Sequence, residues 1–317
     1  MTGSEDDLGQ RSALSNGQST MSENISSIGI VGAGTMGAGI AQVAILSGFR
    51  VFLYDAVAAA LANGQSRIAQ GVNRAVGKGL VQAKGGEDAL RRLSAVTQLS
   101  EMGGAGIIIE AAPEDLSLKQ QLFTELDKLA NPAAILATNT SSLSVTAIAG
   151  ATRRPERVVG MHFFNPVPLM KLVEVVATRR TEKAVVQETV ALARRLGKTP
   201  VQAKDTPGFI VNRIARHFSL EALRILGEGR IAHEQIDRVM KGAGRFRMGP
   251  FELMGLIGID VNFAVSRSVF ETFFQDPRFR PDPIQQRMVE SGLLGRKTGH
   301  GFYEYPPGQT GSTGRSS

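Results

Sequence analysis

The first apolar run of the chain, Ile28-Gly29-Ile30-Val31, stops at a glycine-rich turn. A helical pattern follows, and Arg50-Val-Phe-Leu-Tyr54 then predicts a second short strand, ending at Asp55. The same alternation of apolar runs and helical periodicity continues to about Lys204. Residues 106–110, 134–138, 158–160, 172–176 and 200–203 are short, continuous and rich in β-branched side chains, as expected of strands covered on both faces. Between them, 117–129 places Leu118, Leu122, Phe123 and Leu126 on one helical stripe. Residues 181–196 predict another helix, with Gly197 as its C-cap.

The pattern changes after Asp205-Thr206-Pro207-Gly208. Strand runs disappear, and helices are expected over 209–226, 233–241, 250–274 and 283–291. The first of these places Ile210, Ile214, Phe218, Ala222 and Leu226 on one face. The expected organisation is an α/β domain over 25–204 and an all-α domain over 205–305. Residues 1–24 and 306–317, rich in Ser and Gly, predict disordered tails. Glu5-Asp6-Asp7 and the lack of an apolar core segment argue against a leader sequence at 1–24.

Composition narrows the function classes. A chain of 317 residues with 42% hydrophobic content can build two ordinary domains. It has no apolar run of membrane-spanning length, so no membrane partner is expected. The absence of cysteine excludes disulfides, thiolate metal sites and cysteine nucleophiles, and it fits a cytoplasmic location. Four scattered histidines predict no metal site. The net charge of +7 is compatible with plain solubility or with attraction for a polyanionic small molecule. Basic residues are dispersed, with no basic run and no interleaved aromatics, so no nucleic-acid partner is expected.

Two groups of residues carry chemistry. In Gly32-Ala33-Gly34-Thr35-Met36-Gly37, Gly32 allows the tight turn, Gly34 a close backbone approach to a pyrophosphate, and Gly37 close packing of the helix. Around Thr35 and Met36 the helix start offers backbone N–H groups and a positive dipole end to phosphate. Asp55, 18 residues after Gly37, is placed to accept from ribose hydroxyls and would repel a 2′-phosphate, which favours NAD over NADP. This strand–turn–helix–strand–acid unit makes the expected fold a Rossmann-like doubly wound sheet followed by a helical domain. The second group is polar residues where the pattern asks for something else. His162 follows the strand at 158–159, where a doubly wound sheet carries its chemistry, and imidazole exchanges protons near neutrality. Glu174 interrupts an apolar strand, so it is either an edge residue facing water or the acid that orients His162. Ser141, in Asn139-Thr-Ser-Ser142, is either a helix cap or a hydrogen-bond donor to a reacting oxygen. Asn212 either faces solvent or donates to substrate.

Several longer motifs, in order along the chain, are similar to those of the 3-hydroxyacyl-CoA dehydrogenase family. They are Gly32-x-Gly34-x-x-Gly37-x-Gly39-Ile-Ala-Gln, Asn139-Thr-Ser-Ser, His162-Phe-Phe-Asn-Pro, Lys171-Leu-Val-Glu174-Val, Asp205-Thr-Pro-Gly-Phe-Ile-Val-Asn212-Arg, Met248-Gly-Pro-Phe-Glu-Leu and Lys297-Thr-Gly-x-Gly-Phe-Tyr. The resemblance runs from about Ile28 to Tyr305 and is strongest to the short-chain, 3-hydroxybutyryl-CoA members. It implies NAD-dependent interconversion of L-3-hydroxyacyl-CoA and 3-ketoacyl-CoA by a homodimer that associates through the helical domain. It makes His162 the general base and Glu174 its orienting acid. Ser141 and Asn212 become contacts of the substrate oxygens. Glu114, Lys119 and Asn139 become contacts near the nicotinamide ribose, and Lys78 a contact of the CoA phosphates. Gly71 stands where some members carry a hydroxyl residue, which departs from the family's CoA contacts. Two rival readings stay open on the motifs alone: a dehydrogenase of a free hydroxy acid, and a non-catalytic NAD-binding protein of the same fold.

Overall fold

A computed structural model describes residues 25–306, so the expected tails at 1–24 and 306–317 lie, Pro306 apart, outside the described residues. The chain divides into two compact units between Asp205 and Thr206.

The first unit is built on eight strands: β1 (Ser27–Val31), β2 (Arg50–Tyr54), β3 (Leu93–Val96), β4 (Ile107–Glu110), β5 (Ile135–Thr138), β6 (Val158–Phe163), β7 (Leu172–Ala177) and β8 (Thr199–Lys204). They lie in the order β3-β2-β1-β4-β5-β6-β7-β8. Every pairing is parallel except β6 with β7. Helices α1 (Thr35–Leu46), α2 (Ala58–Gly77), α3 (Ala83–Arg91), α4 (Leu116–Leu129), α5 (Val145–Ala149) and α6 (Lys183–Arg195) connect them. Strands β1, β4 and β5 are buried along their whole length, which explains their unbroken apolar runs. Ile40, Ala41, Ala44 and Ile45 of α1 join Leu61, Ile68 and Val72 of α2 and Val185 and Leu192 of α6 in one core with the sheet. Phe123 and Leu126 of α4 and Ile148 of α5 are buried as well. The fold is a Rossmann-type sheet with helices, followed by a helical unit.

Residues 58–96 hold α2, α3 and β3, which the hydrophobic pattern did not single out. Strand β3 has only Val96 buried, so its side chains leave no apolar run. His162 lies inside β6 rather than beyond a shorter strand, because the ladder to β7 extends β6 through Phe163. Glu174 is not on an edge: β7 is flanked by β6 and β8, and the residue is fully buried.

The second unit comprises α7 (Val211–Gly227), α8 (His233–Gly242), α9 (Pro250–Ile257), α10 (Ile259–Thr272) and α11 (Pro283–Glu290). Its core gathers Ala222, Leu223, Ile236, Phe251, Met254 and Ile259. The single helix expected over 250–274 is broken into α9 and α10, which meet at 100°. Gly258 makes the break with a φ of 105°, a conformation that ends a helix and that side chains with a Cβ avoid. Of the face expected on α7, Ala222 is buried in this unit's core and Leu226 packs against it, but Ile214 is 66% exposed, and Arg216, Ser219, Leu220 and Leu223 are buried beside them. No single helix among the described residues is long and apolar enough to cross a membrane.

Candidate active site

The glycine turn has a stated job at each position. Gly32 has a φ of +102°, and a Cβ there would lie 2.6 Å from the Ala111 carbonyl oxygen. A Cβ on Gly37 would lie 1.7 Å from the Gly32 oxygen, a backbone overlap that no rotamer relieves. Next to Gly34 nothing lies within 4 Å of an added Cβ, so the turn faces open space. Helix α1, with Thr35 and Met36 at its start, has no capping side chain and no acid in its first turn. Its N–H groups therefore face that space with the positive end of the helix dipole behind them. Asp55 directly follows β2, with one oxygen accepting from the Ala33 N–H (2.8 Å) and the other from the Val57 N–H (2.9 Å). Those bonds fix the carboxylate beside the turn and leave it lone pairs for hydroxyl donors.

At the carboxyl end of the sheet, β6 and β7 bring His162 and Glu174 directly opposite one another in antiparallel register. His162 Nδ1 and Glu174 Oε2 are 2.7 Å apart. Both side chains are buried, and the ring of Phe164 lies 4.4 Å from the imidazole, centroid to centroid. A carboxylate on Nδ1 fixes the imidazole's orientation and directs proton exchange to Nε2.

The loop after β5 holds Asn139 and Ser141. Asn139 accepts from the Phe163 N–H through Oδ1 (2.9 Å), tying this loop to the strand that carries His162. Ser141 does not cap the following helix; that role belongs to Ser144, whose hydroxyl accepts from the Ala147 N–H. Instead the loop wraps the Glu114 carboxylate. Its Oε1 accepts from the Thr140 hydroxyl (2.6 Å) and from the N–H groups of Ser141 (2.9 Å) and Ser142 (3.1 Å), with the Ser141 hydroxyl at 3.3 Å. Burial pushes the Glu114 carboxyl up, but the Thr140 hydroxyl, the Lys119 charge and the two loop N–H groups together outweigh it and hold it below the usual carboxylate range. Lys119 is 1% exposed. Its ammonium meets Glu110 Oε1 at 2.5 Å, the Ala112 carbonyl at 3.2 Å and Glu114 Oε2 at 3.5 Å. Glu110 in turn accepts from the Ala112 N–H (2.7 Å) and the Thr138 hydroxyl (2.7 Å). Lys119 thus lies beneath the loops.

A groove of 560 Å³ runs between α1, α2 and the loop that joins β6 to β7. Five cations line it, Arg67, Arg74, Lys78, Lys171 and Lys198, and no carboxylate does. Lys198 is buried and donates to the Val167 carbonyl (2.5 Å) and the Met170 carbonyl (2.9 Å), so it holds the β6–β7 loop in place. Burial, with the neighbouring Lys171 charge, pushes its ammonium below the usual lysine range. At Gly71 the Gln42 carboxamide occupies the space a side chain would need. Asn212, the remaining expected site residue, lies in the first turn of α7 in the second unit. No cluster of metal-ligating side chains occurs among the described residues.

The family model described as 3-hydroxyacyl-CoA dehydrogenase, NAD binding domain, matches residues 27–206, and that described as 3-hydroxyacyl-CoA dehydrogenase, C-terminal domain, matches 208–305. The chain belongs to the 3-hydroxyacyl-CoA dehydrogenase family. It is accordingly an NAD-dependent oxidoreductase by class, and its first unit is the family's NAD-binding domain. Among its relatives is the 3-hydroxyadipyl-CoA dehydrogenase of Escherichia coli K12, 47% identical over 282 residues. That match covers 89% of this chain, and the chain spans 59% of the relative's length. The 3-hydroxybutyryl-CoA dehydrogenase of Mycobacterium tuberculosis H37Rv is 39% identical over 287 residues, covering 90% of this chain and 100% of the relative. The crystal structure of (S)-3-hydroxybutyryl-CoA dehydrogenase from Ralstonia eutropha superimposes with a TM-score of 0.86 at 40% identity, covering 89% of this chain and 99% of that one.

The residues present fit NAD. The uncapped N-terminus of α1, the open side of Gly34 and the Asp55 carboxylate are the donor and acceptor set that a pyrophosphate and a ribose require. Sequence reasoning missed the groove cations Arg67, Arg74, Lys171 and Lys198, which are far apart in the chain. It also missed Glu110 as the partner of Lys119, although an acid closing the run Ile107-Ile-Ile109 was a visible signal. Asn165 of the His162-Phe-Phe-Asn motif lines the groove and was not assigned.

Proposed function

We propose that this protein interconverts L-3-hydroxyacyl-CoA and 3-ketoacyl-CoA, with 3-hydroxybutyryl-CoA as its simplest substrate. The His162–Glu174 pair, set on the sheet that carries the dinucleotide fingerprint, is the observation that carries the reading. When bound, NAD supplies the acceptor for hydride from C3 of the acyl chain. His162 takes the C3 hydroxyl proton at Nε2, and Glu174 stabilises the resulting imidazolium. Ser141 and Asn212 hydrogen-bond the substrate oxygens as their charge changes. Glu114 orders the loop that presents Ser141, and with Lys119 and Asn139 it shapes the nicotinamide-ribose end. The names of the E. coli and M. tuberculosis relatives support a CoA thioester, and differ in whether the acyl chain carries a second carboxyl group. A homodimer formed through the helical unit belongs to the same reading, supported by exposed Val239, Phe246, Leu256, Ile257 and Val261.

The acid-free groove supports a thioester over a free hydroxy acid, because CoA brings several phosphate charges that a short acid lacks. NADH absorbance should fall with acetoacetyl-CoA and not with free acetoacetate. In the double variant Arg74→Ala/Lys78→Ala, the KM for acetoacetyl-CoA should rise about five- to thirtyfold, the effect of two exposed cations at ~0.5–1 kcal/mol each. Equal turnover of the free acid would overturn the thioester assignment.

A further inference from the structure

Helix α7 turns a charge inward where its sequence offered Ile214. Arg216 is 4% exposed while Ile214 is 66% exposed. The guanidinium meets neutral acceptors only. Nε donates to the Asn212 carbonyl (3.3 Å), and Nη1 donates to the Asn262 carbonyl (2.9 Å) and the Ser266 hydroxyl (3.3 Å). No carboxylate among the described residues lies within ion-pair distance of it, and burial alone accounts for the shift of its charge. Nη2 makes no hydrogen bond among the described residues, yet it is not one of the buried atoms sealed without a partner. Burial pushes this arginine down to about 10. A buried arginine without a counter-charge is costly, and a methionine or leucine would fill the same space without that cost. The uncompensated charge is accounted for if an anion supplies the missing carboxylate.

The position of the charge indicates which anion. Arg216 follows Asn212 by one helical turn, and its side chain leans back so that Nε lies 3.3 Å from the Asn212 carbonyl. On the proposed dehydrogenase reading, on which this inference rests, Asn212 contacts the oxygen at C3 of the acyl chain. Three further single bonds carry an extended chain roughly 4 Å from C3 to C6. A carboxylate at C6 is then within reach of a guanidinium held beside Asn212. We propose that Arg216 is a specificity-determining residue that receives the terminal carboxylate of a dicarboxylic, six-carbon 3-hydroxyacyl-CoA. Such a substrate is made by reactions that break down or build a dicarboxylic chain as its mono-CoA thioester.

The test compares a six-carbon 3-ketoacyl-CoA ending in a carboxylate with acetoacetyl-CoA, by NADH oxidation. The wild type should favour the carboxylated chain in kcat/KM. In Arg216→Met the ratio of the two kcat/KM values should fall at least about tenfold, through KM of the carboxylated chain, as loss of a charged hydrogen bond predicts. Arg216→Lys should retain part of the preference. An equal loss on both substrates would make Arg216 a packing staple and overturn the proposal. A measurement on the wild type alone covers the case in which the variants do not fold. The saturated six-carbon CoA thioester ending in a carboxylate should inhibit acetoacetyl-CoA reduction more tightly than the one ending in a methyl group, and the reverse order also overturns the proposal. If neither ketoacyl-CoA is reduced, the dehydrogenase reading itself fails. If acetoacetyl-CoA is reduced without a preference for the carboxylated chain, only the role of Arg216 fails.

Discussion

His162→Gln should lower kcat by about 10²–10⁴-fold, the usual contribution of a positioned general base. Glutamine suits the test because its amide keeps an N–H donor in reach of Glu174. The acid is fully buried and 2.7 Å from the imidazole, so removing the donor altogether would mix a folding defect with a catalytic one. NADH affinity, read by fluorescence titration, should stay close to wild type, since the nucleotide fingerprint lies on β1, α1 and β2. Glu174→Gln keeps the shape of the orienting side chain but removes the charge that stabilises an imidazolium, so its kcat should fall by a smaller factor with cofactor binding again retained. Turnover of His162→Gln within about threefold of wild type would remove the general-base assignment. Loss of NADH affinity in the same variant would point to a structural defect instead.

The parts of this protein legible in its sequence are those where a local requirement acts on neighbouring residues. The glycine turn could be assigned because each glycine answers a backbone constraint within one strand–helix unit. The structure supplies those constraints at Gly32 and Gly37 as overlaps with backbone atoms. Glu174 was visible as an acid in a run that otherwise had to be apolar, and His162 as a polar residue at the carboxyl end of a strand. Their pairing was not local. It depends on β7 running antiparallel to β6, a register that neither strand encodes alone. The cationic groove was illegible for the same reason, because its lining runs from Arg67 on α2 to Lys198 before β8. Periodicity misled where polar burial won. Of the face formed by Ile210, Ile214, Phe218, Ala222 and Leu226, the last two meet the core, yet Ile214 is exposed while Arg216 and Ser219 are buried. A pattern method that expects every buried position to be apolar cannot find such a face.

Lys119→Met should destabilise the NAD-binding unit by about 3–5 kcal/mol, the cost of leaving one member of a buried ion pair without the other. Methionine keeps the length of the stem and removes the charge, so packing is nearly preserved. Glu110, fully buried, would retain the Ala112 N–H and the Thr138 hydroxyl but lose the ammonium at 2.5 Å. Urea denaturation followed by far-UV circular dichroism reads the loss. The double variant Lys119→Met/Glu110→Gln removes both charges and should recover at least about 2 kcal/mol of it, because a neutral amide is far cheaper to bury than an isolated carboxylate. Additive losses in the double variant would mean that the two residues do not stabilise one another. The comparison also bears on how Lys119 acts in the site. The family resemblance places it among the cofactor contacts, while the structure places its ammonium beneath the Glu114 loop, 3.5 Å from Glu114 and bonded to Glu110. If it acts through Glu114, NADH affinity should stay weakened in the double variant after stability has returned, because Glu114 still lacks its cation. Recovery of affinity together with stability would instead make Lys119 a support of the sheet end alone.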